Sequence, residues 1–321
     1  MILMCMGFGV QTGPVLISSG DLIADRRYQW ALDYLARGDR AGAAELLEQA
    51  LEVAPAFASA WFALGGIREA QGDRERAIAA FEAAGKADPQ DYHGARLRLA
   101  RLGLGAATPA MMQRHVRRLF DEHAPRFDRS LLHQLGYRGP QLLLNAVTAV
   151  ARPAGGRVRF AAMLDLGCGT GLAGAAFRSA VDRLTGIDLS AAMIDEARRK
   201  ALYDRLETGE LLEFLDAEAA AAARYDLVVA ADVLVYVQDL AAVAVAVRRV
   251  LAAGGLFGFT VETHAGDGVL LRESLRYAHG AAHVRAAMAG AGLALARLAD
   301  VATRTERGEP VAGLLGIATA C

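Results

Sequence analysis

The chain has 321 residues with 35 basic and 36 acidic side chains, which leaves a formal net charge of −1. This length suits two domains, and the balanced charge excludes the strongly basic surface that nucleic-acid binding requires. Its three cysteines, Cys5, Cys168 and Cys321, are scattered, so they predict neither a disulfide framework nor a metal site, and they indicate a reducing, cytoplasmic compartment.

Residues 1–22 are predicted to form a tail. Met1 to Val15 is apolar, and the first charged residue is Asp21. The stretch lacks the basic region of a signal peptide, and it is too short and too interrupted by glycine to span a bilayer. We therefore expect a loose tail or a misassigned start site, and no association with a membrane.

Residues 23–105 are predicted to form a helical repeat domain, because residues 24–91 contain a self-similarity with a period of 34 residues. Gly38-Asp39-Arg40 recurs as Gly72-Asp73-Arg74, and the same shift pairs Ala43 with Ala77, Leu47 with Phe81, Ala50 with Ala84 and Pro55 with Pro89. This order of small, large, small and proline residues resembles tetratricopeptide repeats, each of which is a pair of antiparallel helices. Residues 92–102 are predicted to add a capping helix.

Two hypotheses stay open for the role of these repeats. Their helices could form a concave surface that holds a partner protein or a peptide, or they could serve as a packing or dimerisation module. Two repeats are fewer than the three that an independent solenoid usually needs. We therefore expect their apolar faces to pack against a further surface.

Residues 106–150 are predicted to form connector helices. The segment from Arg114 to Asp128 is amphipathic and contains two aromatic residues, Phe120 and Phe127. At helical spacing these rings could be core residues or could cover a ligand.

The most informative stretch runs from Met163 to Gly171. An apolar run predicts a buried strand that ends in Asp165, and the loop Gly167-Cys168-Gly169-Thr170-Gly171 follows it. Glycine has no Cβ, so the chain can turn sharply there and a ligand can lie against bare backbone. A dinucleotide fingerprint, G-x-G-x-x-G, would need its third glycine at Leu172, so the spacing disfavours a dinucleotide.

The segments after this loop predict the strands of a doubly wound sheet. A second strand, Leu184 to Asp188, ends in an acid 17 residues after Gly171, which is close to the spacing at which a carboxylate binds a ribose diol. A third strand, Leu206 to Glu210, ends in another acid. Four more strands are predicted over residues 225–233, 254–261, 292–296 and 311–320, with a polar loop between the last two.

The pattern D-x-G-x-G-x-G that begins at Asp165 resembles motif I of the class I S-adenosylmethionine-dependent methyltransferases, and the later segments match this family's motifs in order. With its repeats, the chain resembles a bacterial family of predicted methyltransferases with tetratricopeptide repeats, over residues 25 to 320. The resemblance implies an α/β Rossmann-like methyltransferase fold over residues 151–321, with a mostly parallel seven-stranded sheet whose last strand is antiparallel, and an all-α N-terminal repeat domain. It also implies S-adenosyl-L-methionine as the cofactor, with no metal.

The resemblance assigns roles to the residues at matching positions. Asp188 would bind the ribose, Glu210 would accept a hydrogen bond from the adenine amino group, and the backbone amide of Leu211 would meet the ring. Phe120 to Asp128 matches the lid pattern F-D-x-x-A-x-x-[YF]-D of small-molecule methyltransferases, and Tyr137 would reach the methionine end. The predicted cofactor-binding set is Asp165, Gly167, Cys168, Gly169, Gly171, Asp188, Leu189, Met193, Glu210, Leu211, Tyr137 and Phe127, with Cys168 as a small filler rather than a nucleophile.

Methyl transfer from a sulfonium is an in-line displacement, so the protein mainly positions and desolvates the reactants. A base is needed only when the acceptor is protonated at neutral pH. Asp232, at the end of the fourth predicted strand, is expected nearest the methyl group, because ligands bind beyond the carboxyl ends of such strands. The other candidate bases are His123, His264, His279 and Tyr236.

A small-molecule acceptor, methylated on oxygen or nitrogen, is the main hypothesis for the reaction. The [NDS]-P-P-[YF] motif of nucleic-acid amino methyltransferases is replaced here by Ala230-Ala231-Asp232-Val233. The carboxylate cluster of metal-dependent catechol methylation and the paired glutamates of protein arginine methyltransferases are also missing. The alternative is a protein-directed methyltransferase or scaffold whose repeats bind a partner protein, and a cofactor-binding regulator without turnover is a third possibility.

Overall fold

The computed structural model describes residues 18–151, 158–306 and 308–320. The chain folds into two compact units: residues 1–115 with 273–275, and residues 116–272 with 276–321. Most of the predicted tail, residues 1–17, lies outside the described residues. No helix in the described ranges is both long enough and apolar enough to cross a membrane.

The first unit is built from helices that pack in consecutive pairs, α1 on α2 and α3 on α4. Their bounds are α1 (Leu22–Ala36), α2 (Arg40–Val53), α3 (Ala58–Ala70), α4 (Arg74–Ala87) and α5 (Ala95–Arg101), the last of which lies within the predicted capping segment.

The 34-residue period is visible in the turns between paired helices. Gly38 and Gly72 both adopt a left-handed backbone, with φ +86° and +80°, which residues with a Cβ rarely adopt. The next residue in each case, Asp39 or Asp73, accepts a hydrogen bond from a backbone amide of the first helical turn and so caps the helix. The repeated Gly-Asp-Arg triplet therefore ends one helix and starts the next.

Aromatic residues in the first unit pack against small ones. The Tyr28 and Phe57 rings lie 5.2 Å apart, and those of Phe62 and Phe81 lie 5.6 Å apart. A Cβ on Gly65 would come within 2.8 Å of the Phe81 ring, so this glycine permits the close approach of α3 and α4.

The connector contains α6 (Pro109–His123), a 3-10 turn over Ala124–Arg126, a short α7 (Phe127–Arg129), a π-type turn over Ser130–Gln134, and α8 (Gly139–Val150). The boundary between the two units falls inside α6, after His115.

The second unit alternates strands and helices. Its elements are β1 (Phe160–Leu166), α9 (Leu172–Phe177), β2 (Val181–Asp188), α10 (Ala191–Arg199), β3 (Arg205–Thr208), α11 (Leu211–Ala220), β4 (Tyr225–Ala230), α12 (Leu240–Val250), β5 (Leu251–Glu262), β6 (Val269–Leu271), β7 (Tyr277–His279), α13 (Ala281–Gly290), β8 (Leu293–Val301), β9 (Thr305–Glu306), β10 (Glu309–Pro310) and β11 (Gly313–Ala320).

The strand order of the main sheet is β3-β2-β1-β4-β5-β11-β8. The strands β1 to β5 are parallel, and β11 runs antiparallel to both β5 and β8, which confirms the predicted seven-strand topology. The sequence did not predict the short strands β6 and β7 beside β5, or the separate β9–β10 hairpin inside the polar loop.

Both faces of the sheet are buried, as in parallel sheets generally. Along β4, Val228 and Ala230 pack with α11, α12 and α13, whereas Leu227 and Val229 pack with α8 and α9. The apolar runs in the sequence are therefore strands covered on two sides, and the carboxyl ends of β1, β2, β4 and β5 lie along one edge of the sheet.

Candidate functional site

The glycine loop after β1 has three left-handed residues, Gly167, Gly169 and Gly171, with φ of +63°, +53° and +91°. A Cβ on Gly167 would come within 2.3 Å of Val233, and one on Gly171 within 3.0 Å of the Tyr203 ring. A Cβ on Gly169 would meet nothing within 4 Å among the described residues. Gly167 and Gly171 therefore allow the Val233 and Tyr203 side chains to pack closely against the loop, while Gly169 borders open space that a ligand can enter.

Asp165, at the end of β1, is only 1% exposed, and its Oδ2 accepts a 2.6 Å hydrogen bond from the Tyr203 hydroxyl. Its Oδ1 is buried without a partner in the described part of the chain. Burial raises the pKa of Asp165 to about 7, since the hydrogen bond from Tyr203 only partly offsets it. A buried acceptor without a donor fits a ligand that supplies one, such as an ammonium group.

Asp188, at the end of β2, orients the glycine loop. Its Oδ2 accepts from the Gly169 amide at 2.8 Å, and its Oδ1 accepts from the Ser190 amide at 2.9 Å. Burial raises the pKa of Asp188 to about 6, against the effect of these two hydrogen bonds. Each carboxylate oxygen can accept a second hydrogen bond, so the group can still bind a diol.

Other residues of the predicted cofactor set lie in the turns after β1, β2 and β3. Glu210 follows β3 by two residues and caps α11, because its Oε2 accepts from the Leu212 and Glu213 amides at 2.7 and 2.9 Å. The third strand thus ends earlier than predicted, and its acid begins the next helix with Leu211 as the first helical residue.

The remaining members of that group are Leu189, which is half-buried, and Met193, which is 1% exposed. Cys168 is buried, and burial raises the pKa of its thiol well above the usual range, so the side chain stays neutral and acts as a filler.

The aromatic side chains of the connector reach the turn after β4. The Phe120 ring lies edge-on to Phe127 at 5.7 Å and to Tyr236 at 5.6 Å. Phe120 thus joins Phe127, which precedes the glycine loop in the sequence, and Tyr236, which follows it, in one aromatic cluster.

Tyr137 is held in place by a connection that the sequence does not reveal. The Thr305 amide donates to the Leu135 carbonyl at 2.9 Å, and the Arg138 amide donates to the Thr303 carbonyl at 2.9 Å. The turn that bears Tyr137 therefore lies against the segment after β8. Burial raises the pKa of Tyr137, and Asp232 adds to this effect, so its hydroxyl stays protonated.

Asp232 belongs to a network of paired charges at the carboxyl ends of β4 and β5. Its Oδ2 lies 2.6 Å from Arg304 Nη1, and its Oδ1 accepts from the Thr260 hydroxyl at 2.9 Å. The Thr303 hydroxyl lies 3.2 Å from both carboxylate oxygens. These contacts hold Asp232 at a φ of +56°, a strained value for a residue with a Cβ.

The network extends through Glu262. Arg304 Nη2 lies 2.5 Å from Glu262 Oε1, and Arg276 Nε lies 2.6 Å from the same atom. Glu306 contacts both arginines, and Arg272 lies 3.7 Å from Glu262. Three positive and three negative side chains thus pair with one another: Arg272, Arg276, Arg304, Asp232, Glu262 and Glu306.

Burial works against the charge on Arg304, but three carboxylates outweigh it and raise the pKa of this guanidinium above its already high value. In the same way, Arg276 and Arg304 overcome the burial of Glu306 and lower its pKa. The opposite charges of this network therefore stabilise one another, which offsets part of the cost of burying them.

Two of the three histidines predicted as candidate bases lie near β5: His264 follows the end of this strand by two residues, and His279 ends β7, which pairs with β5. His264 uses both ring nitrogens within its own turn, with Nδ1 accepting from the Gly266 amide at 3.1 Å and Nε2 lying 3.3 Å from the Gly268 carbonyl. His279 is fully buried in β7, where its ring stacks on His283 at 5.7 Å and burial lowers its pKa to about 4. Neither position resembles an exposed base beside the strand ends.

Sequence reasoning missed Tyr203, Arg276, Arg304 and Glu306. Tyr203 is a loop residue with no motif around it, yet it fills the space beside Gly171, Gly174 and Gly186. The two arginines and Glu306 lie in a stretch that reads only as polar. Their partners are up to 72 residues away, so only the folded sheet brings them together.

Comparison with known proteins agrees with this geometry. A family model described as a methyltransferase domain matches residues 164–257, and one described as a tetratricopeptide repeat matches residues 28–92. Human methyltransferase-like protein 27 is 38% identical over 88 residues, which are 27% of this chain and 34% of the human protein. The match thus spans about a third of the length of that curated relative.

Two solved structures illustrate the structural likeness. The 1,6-didemethyltoxoflavin-N1-methyltransferase of Burkholderia thailandensis, solved with 1,6-didemethyltoxoflavin and S-adenosylhomocysteine, is 16% identical with a TM-score of 0.52, over 67% of this chain and 92% of that one. The N-methyltransferase NodS of Bradyrhizobium japonicum, solved with S-adenosyl-L-homocysteine, is 20% identical with a TM-score of 0.43, over 56% and 85%.

The first of these likenesses shows the fold, and the family models show both parts of the chain. The chain therefore joins a segment that matches tetratricopeptide repeats to a segment that matches a methyltransferase domain, and the second segment shares the fold of the Burkholderia enzyme.

Proposed function

We propose that this protein transfers the methyl group of S-adenosylmethionine to an oxygen or nitrogen of a small, uncharged acceptor. The observation that carries this proposal is the charge balance beyond β4 and β5. Its three positive and three negative side chains pair with one another, so an ionised acceptor would have to break an existing pair. A neutral acceptor incurs no such cost.

We propose that the cofactor lies over the glycine loop. Gly169 borders the open space, Gly167, Cys168 and Gly171 shape the loop, and Asp165 Oδ1 accepts from the ammonium group. Asp188 binds the ribose hydroxyls, because its orientation is already fixed by two backbone amides. Leu189, Met193 and Leu211 flank the adenine, Glu210 accepts from its amino group, and Phe127 and Tyr137 close the site.

When bound, S-adenosylmethionine supplies an electrophilic methyl group on a sulfonium. In this proposal the protein holds the acceptor in line with that group and excludes water. Tyr137 and Tyr236 stay protonated because burial raises the pKa of each, so both can donate hydrogen bonds that orient the acceptor. The acceptor's lone pair forms the new bond as the carbon–sulfur bond breaks, and any acceptor proton leaves to water or to a base.

We propose Asp232 as a positioning residue in this reaction. Arg304, Thr260 and Thr303 contact both of its carboxylate oxygens and so fix the orientation of this side chain. His264 and His279 are less suited as bases, because one is engaged within its own turn and the other is buried in β7.

For the rest of the chain, we propose a repeat domain over residues 23–105, connector and lid helices over 106–150, and a methyltransferase domain over 151–321. The repeats would bind a partner protein or a second copy of the chain. In the first unit, Trp30 and Tyr34 are 50% and 40% exposed and line a cleft of about 380 Å³ with Asp33, Arg37 and Leu46. The scattered cysteines support a cytoplasmic location.

The acceptor proposal is tested by incubating the full chain with methyl-labelled S-adenosylmethionine and a bacterial metabolite extract. The extract is first separated by ion exchange into neutral, anionic and cationic fractions. We expect label to enter a compound of the neutral fraction, and an Asp188→Ala variant serves as the control with weakened cofactor binding. Labelling confined to an ionised fraction, or to protein, would contradict the proposal.

A further inference from the structure

The segment of residues 116–134, named here the lid segment, bears two aspartates that contact the loops after β1 and β2. Asp121 Oδ1 accepts a 2.6 Å hydrogen bond from the Ser190 hydroxyl and lies 3.4 Å from the Ala192 amide. Asp128 Oδ1 accepts from the Thr170 hydroxyl, and its Oδ2 lies 2.6 Å from Lys200 Nζ. The two aspartates thus attach one segment to both loops.

These contacts close a ring of hydrogen bonds around the proposed cofactor site. From Asp121 the ring passes to Ser190, whose amide donates to Asp188. Asp188 in turn accepts from the Gly169 amide, and the neighbouring Thr170 donates to Asp128. The lid segment returns the ring from Asp128 to Asp121. A shift of the lid segment therefore disturbs the orientation of Asp188.

The donors in this ring are buried and already fixed in position. Ser190 is fully buried, and its hydroxyl oxygen also accepts from the Met193 amide at 3.1 Å, which caps α10. Thr170 is 2% exposed. Because a buried hydroxyl that loses its acceptor is costly, each contact favours the closed position of the lid segment.

The lid segment also contacts a third strand end. The Phe120 ring packs edge-on against Tyr236, which lies in the turn after β4. Contacts at the loops after β1, β2 and β4 surround the edge of the sheet where ligands of such folds bind. The segment cannot move from one of these loops without stretching its contacts to the others.

We propose that Asp121 and Asp128 are positioning residues that latch the lid segment across the cofactor site, so that the cofactor enters and the product leaves only when both contacts open. This inference rests on the cofactor site proposed above. It predicts that loss of either carboxylate speeds exchange in both directions, because an opened lid admits and releases the cofactor alike.

The test measures the exchange of methyl-labelled S-adenosylmethionine on the full chain. Association is followed by rapid filtration, and dissociation by a chase with excess S-adenosylhomocysteine. Asp121→Asn and Asp128→Asn should each raise both rate constants by roughly fivefold, because the amide keeps an acceptor oxygen but loses the charge that strengthens the hydrogen bond. The affinity, which is their ratio, should change much less.

Asp195→Asn is the matched control, because Asp195 lies on the exposed side of α10 and pairs only with Arg198 in its own helix among described residues. Its rate constants should equal those of the unaltered chain. If an aspartate variant fails to fold by circular dichroism, Thr170→Val removes the same contact from the other side. Where both single variants fold, the double variant of Thr170→Val and Asp128→Asn should raise the rate constants by less than the product of the two single increases, because the two substitutions affect one shared contact.

Unchanged rate constants in all latch variants would overturn the proposal. So would a faster dissociation with an unchanged association, because that pattern belongs to a direct contact with the cofactor rather than to a gate. If the unaltered chain does not bind the label at all, the cofactor site itself is wrong. That outcome is distinct from binding with normal exchange, which removes only the latch.

Discussion

The carboxyl edge of the sheet has two halves that treat polar groups in opposite ways. At β1 and β2, the cofactor half, Asp165 has a buried oxygen that finds no partner among the described residues, and Gly169 borders open space there. At β4 and β5, the acceptor half, Asp232 and Glu262 are paired with arginines from distant segments. In the first half a buried carboxylate oxygen can accept from a ligand, whereas in the second half both carboxylates already have arginine partners.

This difference suggests how one edge of the sheet can bind two ligands that differ in charge and in hydrogen-bonding groups. The cofactor has fixed charges and hydroxyls, so unsatisfied protein groups can recognise it directly. The acceptor half contributes paired charges with no net charge and the protonated hydroxyls of Tyr137 and Tyr236. This arrangement favours selection of the acceptor by its shape. If the comparison is right, substitutions in the acceptor half should lower the free energy of unfolding, and substitutions in the cofactor half should lower the affinity for the cofactor.

The largest expected effect is on stability, in the acceptor half. Arg304→Leu leaves Asp232 and Glu262 buried beside an apolar side chain, so the free energy of unfolding should fall by about 3–5 kcal/mol. Urea unfolding followed by circular dichroism measures this. Arg249→Leu is the control, because Arg249 pairs with exposed Asp216, and it should cost less than about 1 kcal/mol. Equal losses of unfolding free energy in the two variants would show that Arg304 does not stabilise the buried carboxylates.

The next effect concerns the glycine loop of the cofactor half. Gly169→Val places a β-branched side chain in the open space, so affinity for S-adenosylhomocysteine should fall roughly 100-fold or more, or about 2.7 kcal/mol. Calorimetry measures the affinity. Gly292→Val imposes similar backbone strain at φ +70° and also meets no atom within 4 Å in the described structure. A Gly169 variant that binds as tightly as the Gly292 variant would refute close approach of a ligand here.

A smaller loss of affinity is expected at the ribose carboxylate. Asp188→Ala should weaken S-adenosylhomocysteine binding by one to two decades, since hydrogen bonds to a charged group contribute roughly 1.5–3 kcal/mol. Asp182→Ala is the control, because Asp182 lies near the opposite end of the same strand and is exposed. Titration calorimetry compares the two variants. Similar affinities would mean that Asp188 only shapes the loop.

The smallest expected effect is a dependence on pH, and it also belongs to the cofactor half. Burial raises the pKa of Asp165 to about 7 and of Asp188 to about 6, from an ordinary 3.8. Without cofactor, their contribution to stability is fully present below about pH 4 and is lost as the pH rises through about 6 to 7.

Binding of a cofactor with donor groups requires the ionised carboxylates. Affinity for S-adenosylhomocysteine should therefore rise by roughly tenfold between pH 5.5 and pH 7.5, and then level off. Calorimetry across this range tests the rise, and Asp165→Asn should reduce it. An affinity that falls with rising pH would show that the carboxyls bind the cofactor as neutral acids.

The cofactor half was predictable from the sequence because its residues lie close together along the chain. Asp165, the glycine loop and Asp188 fall within 24 residues, and their spacing alone separates the site from a dinucleotide fold. The order of apolar segments likewise predicted the sheet, since the central strands β1, β4 and β5 are buried on both faces and read as apolar runs.

The acceptor half could not be predicted in the same way. Arg276, Arg304 and Glu306 lie in polar stretches without a periodic pattern. The two arginines pair with Glu306 and with residues distant in sequence, namely Asp232, which follows β4, and Glu262, which ends β5. The strands β6, β7, β9 and β10 have only two or three residues each, too few to show an alternating pattern. His279 was singled out as a base, yet its place in β7 buries it completely.

The most direct test of the central claim compares two ligands on the full, unaltered chain. S-adenosylhomocysteine and NAD are titrated by calorimetry, and each is then added at about 100 times its dissociation constant, or at the highest soluble concentration, in a thermal unfolding experiment. We predict that S-adenosylhomocysteine binds and adds about 2.7 kcal/mol of stability, which raises the melting temperature by roughly 5 to 10 °C, while NAD has no effect. Stabilisation by NAD without stabilisation by S-adenosylhomocysteine would contradict the account.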